Sequence, residues 1–186
     1  EHTTTIPDYA FNGCKALASV VIPENITQIG GAAFGNCPNL TTVTFNARNC
    51  TVAHSVVGDN VTPAFNNPAI TRVEFGPLVN NIPDYIFWGC KGLTDVVLGD
   101  NVETIGAAAF YGCTNLEIEI PRTIEVIESR ASFGYVTLNK NVKKIKFNKT
   151  ADEIKQFESI REHINIGIVY DINGNYIKEL NCIFRT

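Results

Sequence analysis

Apolar residues recur along this chain as short apolar-x-apolar pairs at a near-constant interval. The pairs are Val20/Ile22, Val43/Phe45, Val73/Phe75, Val96/Leu98, Ile118/Ile120 and, in a weaker copy, Val136/Leu138. A period of two is that of a strand with one buried face. The spacing therefore predicts a parallel strand at each pair, with the first and last residues inward. The middle residues, Val21, Thr44, Glu74, Val97, Glu119 and Thr137, are expected on an exposed sheet face.

The pairs belong to a longer unit. Phe11, Phe34, Phe65, Phe87, Phe110 and Phe133 follow one another at spacings of 23, 31, 22, 23 and 23 residues. Four of these phenylalanines are followed three residues later by Cys14, Cys37, Cys90 and Cys113, and three further on by Leu17, Leu40, Leu93 and Leu116. After the apolar pair, Pro23, Gly76, Gly99 and Pro121 mark a turn. An Asn-(Ile/Val)-x-x-Ile corner follows at Asn25–Ile29, Asn101–Ile105 and Asn141–Ile145. Small residues then lead to the next phenylalanine, as in Gly106-Ala107-Ala108-Ala109-Phe110. A unit of this length cannot bury its apolar side alone, so neighbouring copies must stack into a solenoid.

Leu17-x-x-Val20-x-Ile22-x-x-Asn25 and Leu93-x-x-Val96-x-Leu98-x-x-Asn101 resemble the leucine-rich repeat core. The 23-residue period with A-F-x-(G/N)-C-x-x-L is similar to the BspA-like, Treponema pallidum-type subclass over about residues 6–149. The resemblance implies an α/β leucine-rich repeat solenoid with one short parallel strand per repeat. It also implies a secreted or cell-surface protein used in adhesion, binding an extracellular protein or glycan. A structural spacer without its own ligand is the alternative.

Some copies depart from the pattern. Residues Asn46–Ala64 carry an insertion, expected to protrude as a loop. The third repeat has Pro68 where cysteine is expected, and the sixth lacks the Cys-x-x-Leu segment. The repeats are taken to span 1–149 and the remainder, 150–186, to cap them. Thr150 is placed to cap a helix running to about residue 164. Ile166–Tyr170 and Tyr176–Leu180 read as a β-hairpin around Asn173-Gly174.

Composition narrows the function. The 186 residues carry a net charge of −4, which does not favour nucleic acid. The charge is uneven: residues 1–128 hold five Lys/Arg against thirteen Asp/Glu, and residues 129–186 hold ten against six. Arg130–Lys149 is either a solvated face or a patch for an acidic partner. No run is long enough for a membrane-spanning helix. The chain has no Met and no signal peptide, so targeting information is expected outside it.

Catalytic chemistry is not expected. There is no G-x-S-x-G, H-E-x-x-H or phosphate-binding glycine loop, and no C-x-x-C pair for a metal. No cofactor is implied. Carboxylates such as Glu74, Asp95, Glu117 and Glu119 read as a solvated sheet surface. The repeat cysteines should form an interior ladder of free thiols, since parallel side chains suit bridge geometry poorly. A Cys50–Cys182 bridge stays open, and Cys50 with His54 is a lone pair. The candidate binding residues are Trp88 and Tyr111. They follow the repeat phenylalanine in consecutive copies, where other copies carry Asn12, Gly35, Asn66 and Gly134. Two neighbouring exposed aromatics suit recognition.

Overall fold

Short strands dominate the architecture because each repeat offers only one apolar-x-apolar pair before a turn residue ends it. The computed structural model describes residues 3–52, 56–57, 60–124, 126–127, 129–130, 135–136, 144–147, 149–156, 169–175 and 177. Ser19–Ile22, Thr42–Phe45, Arg72–Phe75, Asp95–Val97, Glu117–Ile120, Lys144–Phe147 and Val169–Tyr170 lie side by side in one seven-stranded sheet. Every neighbouring pair in that sheet is parallel. The register pairs equivalent repeat positions, such as Val20 with Val43 and Val43 with Val73.

Side-chain direction follows the alternation. Ile22, Val43, Phe45, Val73, Phe75, Val96, Ile118 and Ile120 are buried, while Val21, Glu74, Val97 and Glu119 are exposed. Val20 and Leu98 are half-buried.

The corner segments form ladders of their own. Thr5–Ile6, Gln28–Ile29 and Thr51–Val52 pair in one, and Asn81–Ile82, Thr104–Ile105 and Val126–Ile127 in another. Between the two ladders the chain makes an antiparallel hairpin, Val56–Val57 with Asn60–Val61, whose strands pair only with each other among the described residues. The Asn46–Ala64 segment is thus not all loop. Ala47, Cys50 and Val52 are buried in the regular coil, and Val52 pairs with Ile29. The departure begins after Val52. The distance from corner residue to phenylalanine is five residues from Ile29 to Phe34 but thirteen from Val52 to Phe65, an excess of eight.

The sixth strand is not at 136–138. Tyr135–Val136 pairs antiparallel with Ser129–Arg130, and Lys144–Phe147 takes the sixth place in the main sheet. Ile145 is consequently a sheet residue opposite Ile118 rather than part of a corner at Asn141–Ile145, and Val126–Ile127 forms the corner that follows Glu117–Ile120. The cause is chain length. Only three residues separate Phe133 from Val136, against nine from Phe87 to Val96, too few to cross the coil. Thr137, Leu138 and Phe133 lie outside the described residues.

At the C-terminal end, Thr150 begins the helix Ala151–Gln156 with a reciprocal cap. The Glu153 carboxylate accepts from the Thr150 N–H at 2.7 Å, and the Thr150 hydroxyl accepts from the Glu153 N–H at 3.3 Å. The expected extension of this helix to 164 lies outside the described residues. So does most of the second hairpin strand at 176–180. Its turn is present: the Asp171 carbonyl accepts the Gly174 N–H at 2.9 Å, and Gly174 has a φ of 79°. The preceding strand, Val169–Tyr170, joins the main sheet in parallel.

Stacked phenylalanines fill the interior. Phe11 and Phe34 stack at 5.1 Å, Phe34 and Phe65 at 4.8 Å, Phe65 and Phe87 at 5.0 Å, and Phe87 and Phe110 at 6.1 Å. Phe75 meets Phe87 and Phe110 edge-on. Removing a ring from the middle of this column leaves a cavity that neighbouring coils cannot close. We expect Phe65→Ala to cost about 3–5 kcal/mol in urea denaturation. Phe11→Ala, at the half-open end, should cost less than half as much. Equal losses at both positions would show that the column does not act as packed interior.

Candidate functional site

The turn that carries the repeat phenylalanine is also where the backbone is most constrained. Two residues before it, Tyr9, Ala32, Tyr85 and Ala108 adopt left-handed φ values of 51–58°. Two residues after it, Gly13, Asn36, Gly89 and Gly112 do the same at 56–78°. Glycine and asparagine tolerate this region, whereas each alanine or tyrosine costs roughly 1–2 kcal/mol. Inter-coil hydrogen bonds hold the geometry. Tyr9, Phe11 and Gly13 donate their N–H groups to the carbonyls of Gly31, Ala33 and Gly35, and Tyr85, Phe87 and Gly89 to those of Ala107, Ala109 and Tyr111. The third repeat, with Pro63 and Asn67 at these places, lacks the left-handed pair.

An aspartate locks this turn onto its neighbour. Asp8 Oδ1 accepts the Gly31 N–H at 2.7 Å, and Asp84 Oδ1 accepts the Ala107 N–H at 2.8 Å. The glycine that precedes each donor, Gly30 or Gly106, is required. A Cβ on Gly106 would stand 2.5 Å from Asp84 Oδ1 and 2.6 Å from the Ile82 carbonyl oxygen.

On this turn the position after phenylalanine faces the surface. Trp88 and Tyr111 occupy it in adjacent coils, and their rings stack at 4.2 Å with 22° between planes. Tyr85 lies tilted against Trp88 at 5.7 Å. The two candidate residues are therefore together, but half-buried rather than exposed, because each ring covers the other. Such a stack contributes about 0.5–1.5 kcal/mol beyond its buried area. In the same ladder Asn66 is exposed, Asn12 half-buried and Gly35 buried. Gly134 lies outside the described residues.

The outer face of the main sheet is charged only from the third coil onward. Arg72 pairs with Asp95 and, at 3.4 Å, with Glu74, while Lys146 reaches Glu119 at 3.3 Å. A shallow cleft of about 440 Å³ lies here, lined by Asp95, Val97, Asp100, Glu117 and Glu119 among others. A second depression of about 590 Å³ lies on the turn side of the first three coils, between Gly13, Lys15, Asn36, Pro38, Asn67 and Pro68. It coincides with the third coil's missing cysteine. Asn67, the residue before Pro68, is buried there, with Nδ2 donating to the Cys37 carbonyl at 2.8 Å.

The repeat signature extends over almost the whole chain: the model of the BspA type leucine rich repeat region matches residues 1–57 and 61–170 in six copies. The chain belongs to the BspA-type leucine-rich repeat family. A leucine-rich repeat protein from Bacteroides ovatus aligns over 90% of this chain and 45% of its own, at 21% identity and a TM-score of 0.54. One from Eubacterium ventriosum aligns over 75% of this chain and 36% of its own, at 30% identity and a TM-score of 0.54. The chain thus spans less than half the length of these solved relatives. No curated protein matches its sequence significantly.

The cysteines of this BspA-type array act as hydrogen-bond donors between coils. The Cys37, Cys90 and Cys113 thiols donate to the carbonyls of Phe11, Phe65 and Phe87, one coil back, at 3.1, 2.8 and 3.4 Å. This role is not visible in the sequence, where they read only as small apolar fillers. All three and Cys50 are buried free thiols, and Cys14 is a half-buried one. Cys182, His2, His54 and His163 lie outside the described residues. Among the described residues no three His, Cys, Asp or Glu side chains converge on a metal position.

Burial pushes the Cys90 thiol up to about 12 from an ordinary 9.0, and raises Cys113 by desolvation as well. A thiol kept protonated in the folded state but free to ionise when unfolded stabilises the fold below pH 9.0. That contribution is lost as pH rises toward 12. We expect urea-unfolding stability to fall through this alkaline window. The fall should shrink in Cys90→Ala relative to that variant's own neutral stability. In native protein near neutral pH, only Cys14 of the four ladder thiols should react with a thiol reagent. Rapid native labelling of Cys90 would contradict the burial described.

Proposed function

We propose that this chain is an interaction module of a secreted or cell-surface protein, with Trp88 and Tyr111 forming part of the surface that binds an extracellular protein or glycan. The observation that carries this reading is the ring pair itself, stacked at 4.2 Å at a surface position where other coils hold Asn12, Gly35 and Asn66. The coil would tolerate small residues there, so packing alone does not call for two large rings. Tryptophan and tyrosine are enriched where binding energy concentrates. Membership of the BspA-type family supports an interaction role, and stacked coils present the extended surface such a role uses.

A second reading is a structural spacer without its own ligand. It draws support from Tyr85, which is buried and packed against Trp88, so the ring pair also serves as cover for that residue.

The two readings separate experimentally. Purified extracellular-matrix proteins and a glycan array serve as probes, with Trp88→Ala, Tyr111→Ala and the double variant compared with wild type. Trp88 is the chain's sole tryptophan, so its fluorescence reports directly on the site. A recognition role predicts a loss of about 2 kcal/mol or more, some thirtyfold in affinity, from either substitution while the melting temperature changes little. Full binding by a folded double variant eliminates the site. Loss of stability in the variants, with no probe bound by wild type, favours the spacer.

A further inference from the structure

Charge is segregated around the middle coils. Residues 31–41, 63–71, 85–94 and 107–116, which form the turn side of four successive coils, contain no Asp or Glu, and Lys91 is their one charge. The exposed acids between residues 63 and 121 lie elsewhere. Glu74, Asp95, Glu117 and Glu119 are on the main sheet, and Asp100 and Glu103 are on the chain leading to the corner Thr104–Ile105. Arg72, the other cation of this stretch, is also on the sheet and is paired with Asp95 and Glu74. Lys91 is exposed and has no ion-pair partner among the described residues.

That cation shares its turn with the stacked rings. Lys91 follows Trp88 by three residues, so their Cα atoms are at most about 11 Å apart. Its backbone is fixed in place. The Lys91 N–H donates to the Gly89 carbonyl at 2.8 Å, and the Lys91 carbonyl accepts Asn115 Nδ2, from the coil that carries Tyr111, at 2.9 Å. Between the rings and the cation the surface is low. Gly89 has a φ of 77°, and a Cβ there would meet only Asn66 Oδ1, at 3.9 Å. A ring pair, an exposed amide and one unpaired cation thus share a face that carries no other charge.

We propose that this face binds a carboxylated glycan, with a sugar ring against the Trp88–Tyr111 pair and its carboxylate, or that of the adjoining sugar, on Lys91 Nζ. The inference rests on the reading that Trp88 and Tyr111 bind a ligand, and adds the chemical class of that ligand. Sugars offer C–H faces that pack on aromatic rings and hydroxyls that bond an amide such as Asn66. A peptide side chain anchors best in a packed, desolvated pocket, whereas Asn66, Lys91 and Thr114 on this face are exposed. A single lysine matches a single carboxylate. Residues 1–128 hold five Lys/Arg against thirteen Asp/Glu, a balance that repels a densely sulfated chain.

An array tests this, with each carboxylated glycan printed beside its carboxyl-reduced form, and with heparin and polyglutamate as further probes. Wild type should prefer the carboxylated member of a pair by about tenfold, the size of one charge-assisted hydrogen bond. Lys91→Gln should abolish that preference by weakening the carboxylated form alone, at an unchanged melting temperature, and Lys91→Arg should keep it. Trp88→Ala should weaken both members of the pair. Equal binding of the two members, lost in Trp88→Ala, overturns the carboxylate assignment and leaves the aromatic site standing. Binding that Trp88→Ala does not change overturns both. Tighter binding to heparin or to polyglutamate than to any other probe overturns the proposal, as does a wild-type chain that binds no carboxylated glycan.

Discussion

The bond on which this structure depends is the hydrogen bond that leaves one coil and ends on the next. Backbone amides use it all round the coil: Gly76 reaches Phe45 beside the main sheet, Gly106 reaches Ile82 at the corner ladder, and Phe34 reaches Ala64 on the turn side. Side chains repeat the arrangement. Asn25, Asn39, Asn101 and Asn115 each place Nδ2 within 2.6–2.9 Å of a carbonyl one coil back. The hydroxyls of Thr41, Thr71 and Thr94 run in series onto Ala18, Thr41 and Thr71. Buried backbone groups must find partners, and a coil this small cannot supply enough of its own.

That constraint explains the composition of the turn. Coils must approach closely, so glycine and alanine line the approach. The turn reverses through two left-handed positions, which the sequence meets with Gly13, Gly89 and Gly112 after the phenylalanine but with Tyr9 and Tyr85 before it. The strain at those tyrosines is offset by bonds to the adjacent coil. The same close approach sets the rings of Trp88 and Tyr111 face to face. The geometry of the candidate surface is thus a consequence of stacking rather than a separate device.

Much of this was legible in residue spacing. The five parallel strands from Val20 to Ile120 and the inward and outward alternation follow from the period. The proximity of Trp88 to Tyr111 follows from their shared place in consecutive repeats. Two features were misplaced because phenylalanine alone set the alignment. Seven residues separate Ile22 from Ile29, Phe45 from Val52 and Phe75 from Ile82, so the corner position locates the extra chain after Val52. Ile145-Lys146-Phe147 has the same apolar-x-apolar form as Val43-Thr44-Phe45, yet the spacing from Phe110 drew attention to Val136 instead. Other features could not be read. The thiol donors, the left-handed turn residues and the buried Asn67 depend on where the next coil's carbonyls stand. Half-burial of Trp88 and Tyr111 depends on ring orientation, which spacing does not specify.

Native-state hydrogen exchange tests most directly whether the coils hold one another. The amides of Phe34, Gly76, Phe87 and Gly106 each bond a carbonyl in a different coil. If contacts between neighbouring coils carry the fold, these four should exchange with one shared opening free energy, equal to that of global unfolding. A graded series, with each coil opening at its own lower free energy, would contradict the account.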